Sequence, residues 1–215
     1  YTTLFRSRDD GSAWALEPVM RVALNAVGDK SYATFYFDRD LQTDENTKAY
    51  YIETTNNGYA QLTEVDNDGH NIPAYTAVVL INSAQASSAI FTVTSGLSSV
   101  VDADVNLLKG TLTSMTLDLS EDSPYYSMGR LNGEIGFYKF NNNGTTTITL
   151  GANKAYLDTM ASTNSKGFIF TFDDPTAIAD VQSSILNPQS DDWYTLDGRK
   201  ISRSEERFSR NAETD

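Results

Sequence analysis

Cysteine is absent from the 215-residue sequence, and histidine occurs once, as His70. Without thiols the chain forms no disulfide, iron–sulfur cluster, cysteine-ligated zinc site or cysteine nucleophile. With a single imidazole it also lacks the usual parts of a catalytic triad or a multi-histidine metal site. These two absences exclude much catalytic and redox chemistry, and we expect no cofactor.

Basic residues are scarce as well. Sixteen Lys and Arg stand against 29 Asp and Glu, which gives a net charge of −13. Nucleic-acid binding draws much of its affinity from Lys and Arg on phosphates, so we expect no nucleic-acid partner. The same charge disfavours docking on an anionic membrane. No run of 18 apolar residues occurs, so we predict no membrane span.

The residues that are present indicate an all-β protein. Hydrophobic residues make up 40% of the chain, which is enough for a core. Apolar and polar residues alternate with a period of two between Gly and Asn turns, whereas residues 77–81 form a continuous apolar run typical of a strand buried on both faces. Asn132-Gly133 predicts a type I′ hairpin. We therefore predict an antiparallel β-sandwich or barrel-like domain, in which Phe168, Phe170 and Phe172 all face the core.

A weak internal repeat is visible. The segment 73–80 (PAYTAVVL) resembles 151–158 (GANKAYLD), and an Asn-rich turn precedes each of them, at 56–58 and at 142–144. One interpretation is that all-β proteins reuse hairpins. The other is an internal duplication that forms two related sheets packed face to face. The sequence leaves both open.

Both ends of the chain look foreign to the protein. The first seven residues, YTTLFRS, and the last thirteen, RSEERFSRNAETD, read as translations of common sequencing-adapter oligonucleotides. We therefore interpret residues 1–7 and 203–215 as adapter artefacts. On this interpretation residues 8–202 are an internal fragment of a longer, metagenomic gene.

Short motifs occur along the chain in a characteristic order. They are SYATFYF, KAYYI, NIPAYTAVVL, NLLKGT, YYSMGRLNGEIGFYKF, LGANKAYL, FIFTFDD and WYTLDGRKI. This order resembles a β-rich region near the C-terminus of exported Bacteroidetes proteins, among them leucine-rich-repeat adhesin-like and glycan-associated surface proteins. The resemblance covers residues 12–201. It implies an exported protein, at the cell surface or extracellular, whose partners include other domains of the same long chain.

The resemblance also implies a domain organisation. The segments are the end of an upstream module at 8–17, a β-sandwich domain at 18–174, a linker at 175–191 and a truncated C-terminal hairpin motif at 192–202. The hairpin motif looks like the start of a sorting or anchoring module. Its residues are Trp193, Tyr194, Leu196, Asp197, Gly198 and Arg199. An ordinary Asp-Gly hairpin is the alternative.

Candidate catalytic and metal-binding residues are few. Asp66-Asn67-Asp68-Gly69 resembles part of a calcium loop, but no Glu follows in register, so we interpret 66–69 as an acidic turn. The acidic pairs at 102/104, 173–174 and 191–192 are adjacent or alternate near strand ends, as solvated loop acids are. No nucleophile elbow or phosphate-binding loop is present. We predict no catalytic, cofactor-binding or metal-binding residue, and no enzymatic activity.

Two functional hypotheses remain. The first is a non-catalytic structural or adhesive module of a large exported bacterial surface protein. The alternative is a carbohydrate-binding accessory module of a polysaccharide-degrading surface protein. Its partner would be a neutral glycan or a host surface, since the net charge disfavours polyanions. Exposed Tyr or Trp residues on one sheet face would favour the alternative.

Overall fold

The computed structural model describes residues 3–7, 16–98, 101–139, 146–172, 193–194 and 200–201, with side chains described between residues 20 and 172. The chain divides into two units, Tyr1–Asp173 and Asp174–Asp215. Every described element of regular structure is a β-strand, which confirms the all-β prediction. No helix long and apolar enough to cross a membrane occurs in the described part of the chain.

Seventeen of the described strands belong to the first unit. They are β1 (Thr3–Ser7), β2 (Leu16–Ala23), β3 (Asn25–Val27), β4 (Lys30–Phe35), β5 (Leu41–Thr43), β6 (Thr47–Asn56), β7 (Tyr59–Glu64), β8 (Asn71–Ile72), β9 (Val78–Asn82), β10 (Ser88–Val93), β11 (Leu108–Thr111), β12 (Met115–Asp118), β13 (Tyr125–Leu131), β14 (Glu134–Tyr138), β15 (Thr147–Leu150), β16 (Lys154–Asp158) and β17 (Gly167–Phe172). The second unit contains the antiparallel pair β18 (Trp193–Tyr194) and β19 (Lys200–Ile201).

The described strands of the first unit form three sheets. The largest is a curled ten-stranded sheet with the order β11-β16-β13-β14-β17-β7-β6-β9-β4-β3. A five-stranded sheet has the order β1-β2-β10-β5-β8, and β12 and β15 form a two-stranded sheet. Described neighbours are antiparallel except for β17 and β7, which are parallel. The predicted antiparallel architecture is therefore confirmed, with one parallel pair at the centre of the large sheet.

The large sheet contains the same strand arrangement twice. On one side of β17 the order outward is β7-β6-β9-β4, and on the other side it is β14-β13-β16-β11. The small antiparallel pair β5–β8 belongs to the first set by chain position, and β12–β15 belongs to the second. Strands β4 to β9 and β11 to β16 are thus two copies of one six-strand unit. We call them the first copy and the second copy.

The register of the strand pairs also repeats. The pair Phe35–Val78 of the first copy corresponds to the pair Lys109–Tyr156 of the second. In the same way Tyr50–Val79 corresponds to Tyr126–Leu157. The pair Leu41–Ile72 corresponds to Met115–Leu150. In each copy an Asn-Gly dipeptide, Asn57-Gly58 or Asn132-Gly133, forms the hairpin with positive φ at both residues, as a type I′ turn requires. The predicted hairpin at Asn132-Gly133 is confirmed.

The turns that were compared in the sequence have the same backbone geometry. Tyr75 and Asn153 both follow an alanine, and their φ angles are 61° and 59°. The Tyr75 N–H donates to the Phe37 carbonyl oxygen at 2.8 Å, and the Asn153 N–H donates to that of Thr111 at 2.6 Å. Each turn therefore closes onto the end of the first strand of its own copy.

Two details of the sequence interpretation need correction. The two copies lie side by side in one sheet, with β17 between them, and do not form two sheets packed face to face. The turn that corresponds to residues 56–58 is Asn132-Gly133, whereas residues 142–144 lie outside the described residues. The physical reason is that β17 pairs with β14 and β7, and so joins the two copies edge to edge.

Two hydrophobic cores lie on opposite faces of the first copy. The inner core combines residues of both copies: Tyr32, Tyr50, Ile52, Ala60, Leu62, Ala77, Val79, Ile81, Leu108, Tyr126, Phe137, Ala155, Leu157 and Phe168. The outer core lies between the first copy and the five-stranded sheet, and it contains Met20, Val22, Leu24, Ala33, Phe35, Leu41, Ala49, Val65, Ile72, Val78, Leu80, Ala89, Phe91 and Val101. Strand β9 contributes to both cores and is buried throughout, as predicted.

The β17 phenylalanines follow the predicted alternation only in part. Phe168 is buried in the inner core, and Phe170 packs against it. Phe172 is 37% exposed at the end of the strand, where its ring meets the Tyr50 ring edge-on at 5.6 Å. The prediction that all three face the core is therefore wrong for Phe172, because the core ends before the strand does.

Candidate functional site

The predicted acidic turn at 66–69 is held together by its own first carboxylate. Asp66 accepts hydrogen bonds from the backbone N–H of Asp68, His70 and Asn71 at 3.2, 3.0 and 3.2 Å, and from the Asn71 side-chain amide at 2.6 Å. Burial by itself would raise the pKa of Asp66, but the hydrogen bonds, those of Asn71 foremost, outweigh it and lower the pKa. Asp66 is thus an ionised turn cap.

Other carboxylates have similar structural roles. Asp40 accepts from the backbone N–H of Ala74 at 2.8 Å and of Leu97 at 3.0 Å, and these bonds lower its pKa. The predicted pair 102/104 forms a turn in which Asp102 accepts from the Asp104 N–H at 2.9 Å. The pairs 173–174 and 191–192 lie outside the described residues. Within the described ranges, no three His, Asp or Glu side chains are grouped as a metal site would need.

His70 is half-buried and hydrogen-bonded. Its Nδ1 lies 3.0 Å from the Thr47 carbonyl oxygen and 2.9 Å from the Thr43 Oγ1. The Thr43 hydroxyl itself donates to the Thr47 carbonyl at 2.5 Å, so the network favours the tautomer in which Nδ1 carries the proton. This arrangement connects β5 to the start of β6, which is a structural role.

The outer face of the sheet differs sharply between the copies. In the first copy this face carries Phe35, Ala49, Val78 and Leu80, which are buried under the five-stranded sheet. The corresponding residues of the second copy are Lys109, Tyr125, Tyr156 and Asp158, which are half-buried. The two-stranded sheet β12–β15 is the counterpart of β5–β8 here, and no described strand corresponds to β10 or β2. The second copy therefore presents a polar and aromatic face where the first has a core.

Two tyrosines form the centre of this face. The rings of Tyr125 and Tyr156 meet edge to face, with centroids 5.5 Å apart and an interplanar angle of 86°. Burial, then the neighbouring Tyr125 and Asp158, raise the pKa of Tyr156, so its hydroxyl stays protonated at physiological pH. Partly exposed Tyr rings offer an apolar face and a hydroxyl, which suits ligands with both C–H and O–H groups.

An open cleft of about 220 Å³ adjoins this face. Arg21 of β2 lies on one side, the Asn153 turn and Lys154 lie on the other, and Phe35 contributes to the lining. Lys154 is half-buried, and burial lowers its pKa. Within the described residues, neither the Lys154 ammonium group nor the Arg21 guanidinium group has a hydrogen bond or an ion pair. The cleft is thus lined by two cationic residues in an acidic protein.

The curl of the large sheet creates this cleft. The Tyr36 N–H donates to the Asn153 carbonyl at 3.2 Å, and the Asn153 side-chain amide donates to the Tyr36 carbonyl at 3.1 Å. The Tyr36 ring lies directly over Gly110 of β11. These contacts join the end of β4 to β11 and β16, and so bring the two ends of the sheet beside β2.

The site residues that the sequence analysis named, those of the sorting-like motif, belong to the second unit. Trp193 and Tyr194 of the sorting-like motif form β18, opposite Ile201 and Lys200. The remaining motif residues, Leu196, Asp197, Gly198 and Arg199, lie outside the described residues. Sequence reasoning missed Arg21 and Lys154, and it did not single out Tyr125 or Tyr156. A signal was present, since Tyr156 and Asp158 stand where the first copy has Val78 and Leu80, but recognising it needs the strand register.

The fold and this face define an all-β protein with a repeated six-strand unit and a polar-aromatic surface on the second copy. Searches of protein-family models, of curated proteins and of solved structures found nothing that matches this chain.

Proposed function

We propose that this chain is a non-catalytic adhesive or structural module of a large exported bacterial surface protein. The proposal rests on a difference between the two copies. The first copy is covered on both faces and forms a scaffold, whereas the second copy carries Tyr125 and Tyr156 on its outer face. Asp40 and Asp66 fit a non-catalytic role. A general acid needs a pKa near the working pH, whereas hydrogen bonds lower the pKa of Asp40 and Asp66.

A carbohydrate-binding accessory module is the second candidate, and the Tyr125–Tyr156 pair favours it. Aromatic rings on a sheet face can stack on the C–H faces of sugars, while their hydroxyl groups and nearby polar groups hydrogen-bond to sugar hydroxyls. A shallow face encloses little of its ligand, so the affinity should be weak. This candidate narrows the first proposal, because glycan binding is one form of adhesion.

Affinity electrophoresis against neutral and acidic glycans, with a turnover assay on the same glycans, tests both candidates. We expect no turnover, and retardation by at least one glycan that is lost in Tyr125→Ala and in Tyr156→Ala. Tyr75→Ala is the matched control, because Tyr75 is 63% exposed but lies outside this face.

Each outcome decides between the candidates. Retardation that depends on the two tyrosines supports the carbohydrate-binding module. Absence of retardation by every glycan rejects that candidate and leaves the structural one. Turnover that survives repurification and disappears when an acidic pair is mutated would refute the non-catalytic proposal.

A further inference from the structure

The cleft between β2 and the start of β16 has the size and chemistry of a small binding site. Its volume of about 220 Å³ is below that of typical drug-sized pockets and suits one monosaccharide-sized group. The exposed Ala23 and Ala152, with the buried Val22 and Phe35 behind the surface, form the apolar lining, and Arg21 and Lys154 provide cationic groups. This combination suits a ring with C–H faces and a negative substituent.

The two cations point to an anionic ligand. A half-buried ammonium group without a counter-charge is unfavourable, and the described residues provide none for Lys154. Burial lowers the pKa of Lys154 because it disfavours the charged ammonium form. A carboxylate in the cleft would restore the lost solvation through charge-assisted hydrogen bonds from Lys154 and Arg21.

The position of the cleft identifies the ligand more closely. Lys154, Tyr156 and Asp158 alternate with the buried Ala155 and Leu157, so they share the outer face of β16. Neighbours on one face of a strand are about 7 Å apart. A glycan with one sugar in the cleft would therefore place the next ring over Tyr156.

We propose that the cleft binds the carboxylate of a uronic acid residue, with Lys154 and Arg21 as its ligands and the adjoining sugar on Tyr156. The inference rests on the carbohydrate-binding candidate. It departs from the expectation that only neutral glycans bind, because net charge governs long-range attraction whereas the cleft acts at contact distance.

Isothermal titration calorimetry with two matched ligands tests the inference. The first is a trisaccharide that ends in glucuronic acid, and the second is the same trisaccharide with its carboxyl group reduced to an alcohol. We expect the acidic ligand to bind about tenfold more tightly or better, as the loss of a charged hydrogen bond implies. In Lys154→Gln the preference should disappear.

Two further variants keep the test independent of folding defects. Arg21→Gln changes an exposed residue on the other side of the cleft and should also reduce the preference for the acidic ligand. Arg130→Gln removes the same charge at an exposed position of β13 outside the cleft lining, and it should leave the preference unchanged.

The outcomes separate this inference from the proposed function. Equal binding of both ligands, still dependent on Tyr156, would overturn the uronate site and leave the carbohydrate-binding candidate standing. An acid preference that survives both cleft variants would also overturn the site. No binding of either ligand, with no retardation by other glycans, would reject the carbohydrate-binding candidate itself.

Discussion

Replacing Gly110 by alanine should open the contact that curls the large sheet. A Cβ atom at Gly110 would lie 2.5 Å from the Tyr36 Cβ and closer still to two of its ring atoms. The collision includes the root of the Tyr36 side chain, so a change of rotamer cannot relieve it. Tyr36 must therefore move together with its backbone.

The cost follows from what holds Tyr36. Overpacking in a well-packed site costs about 1–3 kcal/mol. Movement of the Tyr36 backbone also weakens its two hydrogen bonds with Asn153, each of which contributes about 0.5–1.5 kcal/mol. The reduced entropy of the unfolded chain offsets about 0.4–1 kcal/mol of this. We expect Gly110→Ala to lower the free energy of unfolding by about 2–3 kcal/mol.

Urea denaturation followed by far-ultraviolet circular dichroism measures this change. Gly151→Ala is the matched control, since a Cβ there meets nothing within 4 Å, and it should be neutral or slightly stabilising. In a Tyr36→Gly background, Gly110→Ala should cost much less, because the colliding ring and the Tyr36 Cβ are both gone. Equal effects at Gly110 and Gly151, or no coupling to Tyr36, would refute the reasoning.

Three other predictions concern stability. Burial and the adjacent Glu64 raise the pKa of Tyr50 to about 12, so the stability that its protonated hydroxyl contributes is present below pH 10 and lost as pH rises through 12. Tyr50→Phe should therefore make the free energy of unfolding less dependent on pH between 10 and 12 in an alkaline denaturation experiment. The lowered pKa of Asp66 contributes stability above pH 3.8 that is lost as pH falls through the folded-state value, so the advantage over Asp66→Asn in thermal melts should disappear in strong acid. Phe168→Ala should cost about 3–5 kcal/mol in urea denaturation and Phe172→Ala clearly less; equal costs would contradict the burial pattern of β17.

Local patterns in the sequence predicted much of the fold. Period-two alternation predicted strands, the apolar run at 77–81 predicted a strand buried on both faces, and Asn132-Gly133 predicted its hairpin. These features depend on neighbouring residues, through side-chain periodicity and the positive φ that an Asn-Gly turn accepts. The similarity of 73–80 to 151–158 left a duplication and reused hairpins equally open, and the structure shows that both segments adopt the same turn.

Pairing between distant strands was decided only by the tertiary structure. The parallel pairing of β17 with β7 joins the two copies, and no local pattern specifies which edges meet. The same holds for the candidate site. Arg21 and Lys154 line one cleft because the contacts of Tyr36 with Asn153 and Gly110 close the curl of the sheet. Composition determined that the protein is acidic and without thiol chemistry, and local alternation of side chains determined that it is all-β. The register of β13 on β16 placed Tyr125 beside Tyr156, because register sets which side chains of neighbouring strands share a face.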